Sequence, residues 1–120
     1  MGLNLYQKVW NDHLVRQLDT GQYQVFMALH LIHEVTSPQA FGMLKDKSLT
    51  VAFPDRTFAT VDHIIPTDKQ ERPLANDMAE KMIQVLSSAT KENGIEFSAP
   101  KSGAQGIVHV VGPELGLTQP

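Results

Sequence analysis

Helical and strand-like segments alternate along this chain, and that alternation limits its fold more than any other feature. Leu5, Val9, Trp10, Leu14 and Leu18 recur near helical spacing, predicting a helix over Leu3–Leu18 that Asp19-Thr20-Gly21 breaks. Tyr23–Ile32 is bulky, apolar and flanked by breakers, which predicts a buried strand. Thr36 or Ser37 is placed to cap a helix whose first residue is Pro38 and which runs to Leu44 or Lys45, Gly42 weakening it. Thr57–Val61 predicts a strand ending at Asp62-His63. The clearest helix spans Pro73–Asn93, with Leu74, Met78, Met82, Ile83, Val85, Leu86 and Ala89 on one apolar face and Asn93-Gly94 ending it. A short strand is possible at Ile95–Phe97, and Ile107–Val111 predicts a buried strand stopped by Gly112-Pro113. The resulting order is helix, strand, repeated three times. It predicts an α/β fold: a mainly parallel sheet of three or more strands with helices packed on it, in one domain over residues 1–120.

Composition narrows the function classes. A net charge of −3, with no basic cluster beyond Lys45 and Lys47, argues against a nucleic-acid partner. No run approaches the roughly 20 apolar residues of a membrane helix. The start lacks a basic segment followed by an apolar core, so a soluble, cytoplasmic protein is expected. The chain has no cysteine, which removes disulfides, thiolate zinc sites and thiolate-held clusters supplied by these residues alone. No cofactor held by this chain is expected.

Each predicted strand end carries a proton-handling group, and carboxyl edges of parallel sheets are where ligands collect. Asp62 beside His63 has the make-up of a carboxylate that fixes an imidazole's tautomer and supports its cation for general acid work. Spacing alone leaves open the plainer reading that Asp62 caps a turn and His63 is polar surface. His109 lies within the apolar run Ile107–Val111, where a histidine hydrogen-bonded to backbone in the core is the favoured reading. His33 and Glu34 precede the helix start at Thr36-Ser37-Pro38, a corner suited to a substrate carboxylate, although Thr36 and Ser37 serve equally as caps. His30-x-x-His33 lacks helical zinc spacing and has no third ligand nearby, so no metal site is expected.

Together, three segments carry a specific resemblance. His33-Glu34-Val35-Thr36-Ser37-Pro38-Gln39-Ala40-Phe41, Phe58-Ala59-Thr60-Val61-Asp62-His63 with Pro66-Thr67, and Gln105 through Glu114 resemble the large subunit of 3-isopropylmalate dehydratase, in the aconitase superfamily. Leu5-Tyr6-Gln7-Lys8-Val9-Trp10 is similar to that subunit's start. The resemblance implies a piece of the aconitase-type N-terminal domain. It also implies a hydro-lyase of leucine biosynthesis that isomerises 2-isopropylmalate to 3-isopropylmalate, with a [4Fe–4S] cluster as Lewis acid in the full-length enzyme. It further implies a separate small subunit as heterodimer partner, contributing the catalytic base, and a small dicarboxylate substrate. By the same resemblance Asp62, His63 and His109 match catalytic positions, and His33 matches a substrate-contacting one, with Thr36 and Ser37 beside it.

The departures shape the expectation as much as the matches. The family's large subunit is several times longer, its cluster-binding cysteines come later in its sequence, and Ala28 stands where the family pattern has an aspartate. The chain is therefore expected to be the N-terminal portion of such an enzyme and inactive alone. The alternative is a non-catalytic truncated fragment acting as a binding or subunit-interaction module.

Overall fold

A computed structural model describes residues 2–118 of the chain. At its centre lies β4 (Thr57–Thr60), buried at all four positions. A strand covered on both faces needs side chains that are apolar or hydrogen-bonded. Phe58 and Ala59 meet the first condition. The two threonines meet the second, Thr57 Oγ1 donating to the Phe53 carbonyl (2.9 Å) and Thr60 Oγ1 to the Gly106 carbonyl (3.1 Å). β4 pairs in parallel with β3 (His30–His33) on one side and β5 (Glu96–Ser98) on the other. The register sets His33 opposite Thr60 and Thr60 opposite Ser98, so the segments leaving the three strands emerge at one edge.

Two helices supply the crossovers that parallel strands require. α2 (Ser37–Asp46) joins β3 to β4, and α3 (Asp77–Asn93) joins β4 to β5. Asn76 caps α3 by accepting the Met78 and Ala79 amides (3.0 and 3.1 Å), and Gly94, at φ 68°, ends it in the left-handed region. The buried face of α3 is narrower than its sequence period suggests. Ala79, Ile83, Leu86 and Ala89 pack inward, whereas Met78 and Val85 are exposed. Ile83 and Leu86 meet Ile32, Ala59, Val61, Leu74 and Ile95 in one core, with Phe41, Val51 and Phe97 around it. Pro73 lies in the loop ahead of α3 instead of beginning it. Glu80 holds that loop back by pairing with Arg72 (2.6 Å) and accepting the Leu74 amide (3.0 Å).

Three expectations are corrected by tertiary contacts. The first helix, α1, covers Leu5–His13 only, because Leu14–Gln17 is a strand, β1, paired antiparallel with β2 (Tyr23–Val25). The His13 carbonyl, which would continue the helix, instead accepts the Phe26 amide (2.8 Å). Accordingly, the expected strand Tyr23–Ile32 divides: its start closes a hairpin over the turn at Gly21, and its end enters the parallel sheet as β3. Ile107–Val111 is not a strand either. Val108–Glu114 forms a short helix, α4, and the third strand of the sheet is β5. The β-branched run favours a strand locally, but Asp62 accepts the Val108 amide at the helix start (3.2 Å). Val111 and Gly112 are buried, and Gly112 passes so close to Leu31 that a Cβ there would lie 3.0 Å from Cδ1. The α/β class and the parallel three-stranded sheet stand as expected.

α1 and the hairpin form an arm. Trp10 stacks on Tyr6 (6.1 Å between centroids) and meets Tyr23 edge-on (5.4 Å), while Tyr6, Val9 and Tyr23 remain exposed. Its link to the sheet body includes an edge-on Phe26–Phe53 contact (6.4 Å) with the Arg56 guanidinium over both rings. A radius of gyration of 17.2 Å reflects this arm; a compact domain of this length has about 14 Å.

Core burial on α3 predicts contrasting mutants. Leu86 is 0% exposed, so Leu86→Ala is expected to cost about 2–5 kcal/mol in urea unfolding, whereas Val85→Ala, at 38% exposure, costs under about 1 kcal/mol. Glu80 predicts acid sensitivity. Its bonds from Arg72, then the Leu74 amide and Gln84, lower its carboxyl from 4.5 to about 2. The stabilisation is complete above pH 4.5 and is lost as pH falls through about 2. Denaturation midpoints measured across that window are expected to fall in the wild type and to vary less in Glu80→Gln.

Candidate active site

The parallel register brings residues far apart in sequence to one edge of the sheet. Beyond β3, the chain passes through Glu34 and Val35 into α2. Beyond β4, it turns sharply at Asp62, His63 and Ile64. That turn is built by Glu34. Its side chain is 0% exposed, and its carboxylate accepts the Asp62 amide at Oε2 (3.1 Å) and the His63 and Ile64 amides at Oε1 (2.7 and 2.8 Å). Successive side chains of a strand point to opposite faces. Since β4 ends at Thr60 and the backbone bends round Glu34, Asp62 and His63 escape that rule and their side chains meet.

Asp62 is the hub of the cluster. Its side chain is 2% exposed; Oδ1 accepts from His63 Nδ1 and lies 3.9 Å from His33 Nδ1, while Oδ2 accepts the Val108 amide. His63 is 54% exposed at its side chain and stacks on His33, with ring centroids 4.2 Å apart and planes 15° from parallel. With Nδ1 donating to Asp62, His63 presents Nε2 as the edge that takes up or releases a proton. Val35 donates its amide to His33 Nδ1 (3.3 Å), which places the proton of neutral His33 on Nε2. The hydrogen bond His63 donates to Asp62 raises the His63 pKa above its ordinary 6.5, opposed by burial and helped by the charges of Asp62 and Glu34.

Other contacts fix the surroundings. The Ser37 hydroxyl donates to the His33 carbonyl, and Ser37 is buried, so it closes the corner between β3 and α2 without capping the helix. Thr36 occupies the N-cap position, makes no side-chain cap and is exposed. Thr36, Ser37 and His33 line an apolar cleft of about 460 Å³ with Leu31, Ala40 and Phe41. A larger cleft, about 660 Å³, lies between α2 and α3 and includes none of the histidines. Gln105 Nε2 donates to the Val61 carbonyl (2.7 Å) and the Gly106 amide to Thr60 Oγ1 (3.3 Å), stitching the segment before α4 to the end of β4.

The structure thus brings together His33, Asp62 and His63. His109 adjoins this group through Val108. It sits exposed in the first turn of α4, next to the residue whose amide Asp62 accepts, and is neither in a strand nor in the core. Ala28 is exposed in the link between β2 and β3, and His30 is exposed at the start of β3. Sequence reasoning missed Glu34 as the organising residue. Its only signal was a carboxylate directly behind an apolar strand, and the partners it binds are known only once the register of β3 on β4 is known.

His33, Glu34, Asp62 and His63 place possible ligand atoms within 4.8 Å of one another. As arranged, they do not form a cation cradle. Both Glu34 oxygens and both Asp62 oxygens already accept hydrogen bonds, His33 Nδ1 accepts the Val35 amide and His63 Nδ1 is engaged by Asp62. A [4Fe–4S] cluster finds no thiolate among the 120 residues, so this chain does not fit as its anchor.

The chain matches the Aconitase family (aconitate hydratase) over residues 7–120. Among curated proteins it is similar to the 3-isopropylmalate dehydratase large subunits of Salinibacter ruber, at 67% identity over 97% of this chain and 25% of that protein, and of Haloferax volcanii, at 63% over 97% and 24%. The large subunit of the same name from Thermus thermophilus is 59% identical over 100% of this chain and 25% of its own length. The chain therefore spans about a quarter of the length of the curated relatives it matches. No solved structure matches it.

The raised His63 value predicts a measurable linkage. A pKa raised on folding stabilises the protein fully below pH 6.5, and this contribution is lost as pH rises through the folded-state value. NMR titration of the His63 ring is expected to give a value above 6.5, and Asp62→Asn to lower it.

Proposed function

This chain belongs to the aconitase family, and we propose from that premise that it forms the N-terminal portion of a hydro-lyase acting on a 2-hydroxy dicarboxylate. The substrate we propose is 2-isopropylmalate, isomerised to 3-isopropylmalate in leucine biosynthesis in the cytoplasm. The observation that carries this reading is the Asp62–His63 pair held by Glu34 beside His33, in a chain 59–67% identical to dehydratase large subunits. In the complete enzyme an iron–sulfur cluster and a small subunit complete the site.

What this chain contributes is proton handling and orientation. His63, with Nδ1 bonded to Asp62, presents Nε2, half exposed and directed away from the carboxylate, and in its protonated form holds a proton there. In dehydration that proton passes to the hydroxyl oxygen as the C–O bond breaks and the group departs as water. The adjacent carbon gives its proton to the base contributed by the small subunit, and the C–H electron pair becomes the C=C bond. In rehydration Nε2 takes a proton back. His33 offers an Nε2–H donor 4.2 Å away, ring to ring, suited to a substrate oxygen. Thr36 adds an exposed hydroxyl on the same cleft, while Ser37 positions the His33 backbone. His109 stands on the neighbouring helix start, where a second imidazole serves substrate contact or proton transfer.

Replacing the matching segment of the Thermus thermophilus large subunit with this chain, and co-producing the hybrid with its small subunit, tests the proposal. Isomerisation of 2-isopropylmalate is expected, with His63→Ala lowering kcat by about 10²–10⁴-fold. A folded, cluster-loaded hybrid without activity, or one indifferent to His63→Ala, would sink the reading. The 120-residue chain alone is expected to yield no stoichiometric visible absorbance after anaerobic reconstitution with iron and sulfide, and no hydration of isopropylmaleate.

A further inference from the structure

We propose that Glu34 is the positioning residue of the site: its carboxylate shapes the Asp62–Ile64 turn so that Asp62 and His63 meet, and it never touches substrate. The inference rests on the proposed roles of Asp62 and His63 and names the residue that makes their geometry possible. Three observations carry it. Glu34 is 0% exposed, which excludes contact with a ligand entering from solvent. Its two oxygens are committed to three consecutive main-chain amides at 2.7–3.1 Å, and neither is hydrogen-bonded to a histidine ring. No lysine or arginine pairs with it among the described residues, and its hydrogen bonds come from the turn.

The consequence travels outward through the bonds of the turn. Three amides converging on one carboxylate force the backbone to curl at Asp62-His63-Ile64. The curl directs Asp62 Oδ1 to His63 Nδ1 and Oδ2 to the Val108 amide, coupling the turn to α4. Titratable groups facing His63 are Asp62, Glu34 and His33, each within this cluster. Glu34 therefore acts on His63 in two ways, through the bend and through its charge. Glu34→Asp keeps the charge but is one methylene too short to reach all three amides. Glu34→Gln keeps the length, yet its NH₂ group must confront an amide donor.

NMR on the 120-residue chain tests this directly. In the wild type, the amide protons of Asp62, His63 and Ile64 are expected to exchange at least about tenfold more slowly than those of Thr67 and Lys69 in the exposed loop beyond. In both variants that protection is expected to vanish and the His63 titration to shift down toward 6.5, with the Phe58 and Ala59 amides of β4 unchanged. A loss of global stability with the His63 titration unmoved in the folded fraction would reduce Glu34 to a structural residue and overturn the proposal. So would Glu34→Asp behaving as wild type. Should neither variant fold, the wild-type exchange decides, because amides at 62–64 exchanging as fast as Thr67 refute the clamp. None of these readouts depends on turnover, so failure here is distinct from failure of the hybrid enzyme.

Discussion

A buried carboxylate is costly to place and exacting about its partners, and the edge of the parallel sheet is organised around one. Removing a carboxylate from water costs several kcal/mol even after relaxation. Hydrogen bonds to a charged group return about 1.5–3 kcal/mol each. Three main-chain amides on Glu34 are of the right order to offset that penalty. The requirement works in both directions. Glu34 needs the turn in order to be buried, and the turn needs Glu34 because its three amides have left the β-ladder at Thr60.

The register of β3 on β4 makes that exchange possible. His33 lies opposite Thr60, so the residue after each strand continues at the same height. Glu34 then reaches a segment 28 to 30 positions later in the sequence. From there the order spreads through side chains. Asp62 caps the start of α4, Thr60 and Gln105 tie the preceding loop, and Ser37 locks the β3–α2 corner. The site is rigid on its sheet side and open on its solvent side, where His63 and His109 are exposed. That asymmetry suits a wall of a larger cavity, consistent with relatives about four times as long as this chain.

α1 and the hairpin obey a different logic. Their stabilisation is local, through the Tyr6–Trp10–Tyr23 cluster, the Asn4–Gln7 capping box and the turn at Gly21, with little burial. Because the cluster is built from neighbours in sequence, the arm holds its shape without sharing the core beneath α3.

The sequence by itself determined the α/β class and the long helix ending at Gly94, because hydrophobic period and stop signals are local. It also carried Asp62, His63 and His33 as chemically suited residues, with wording specific enough to point to one family. What only tertiary structure decided is how those residues meet. Nothing local separates Leu14–Gln17 from the helix before it, or cuts Tyr23–Ile32 into two strands of two sheets, since pairing partners made both choices. Ile107–Val111 has the composition of a strand and became a helix because Asp62 receives its first amide and β3 lies against Gly112. Glu34 was legible only as a polar residue after an apolar run. Its role arises from three donors contributed by another strand's exit, and such long-range hydrogen bonding has no signature in the order of the amino acids.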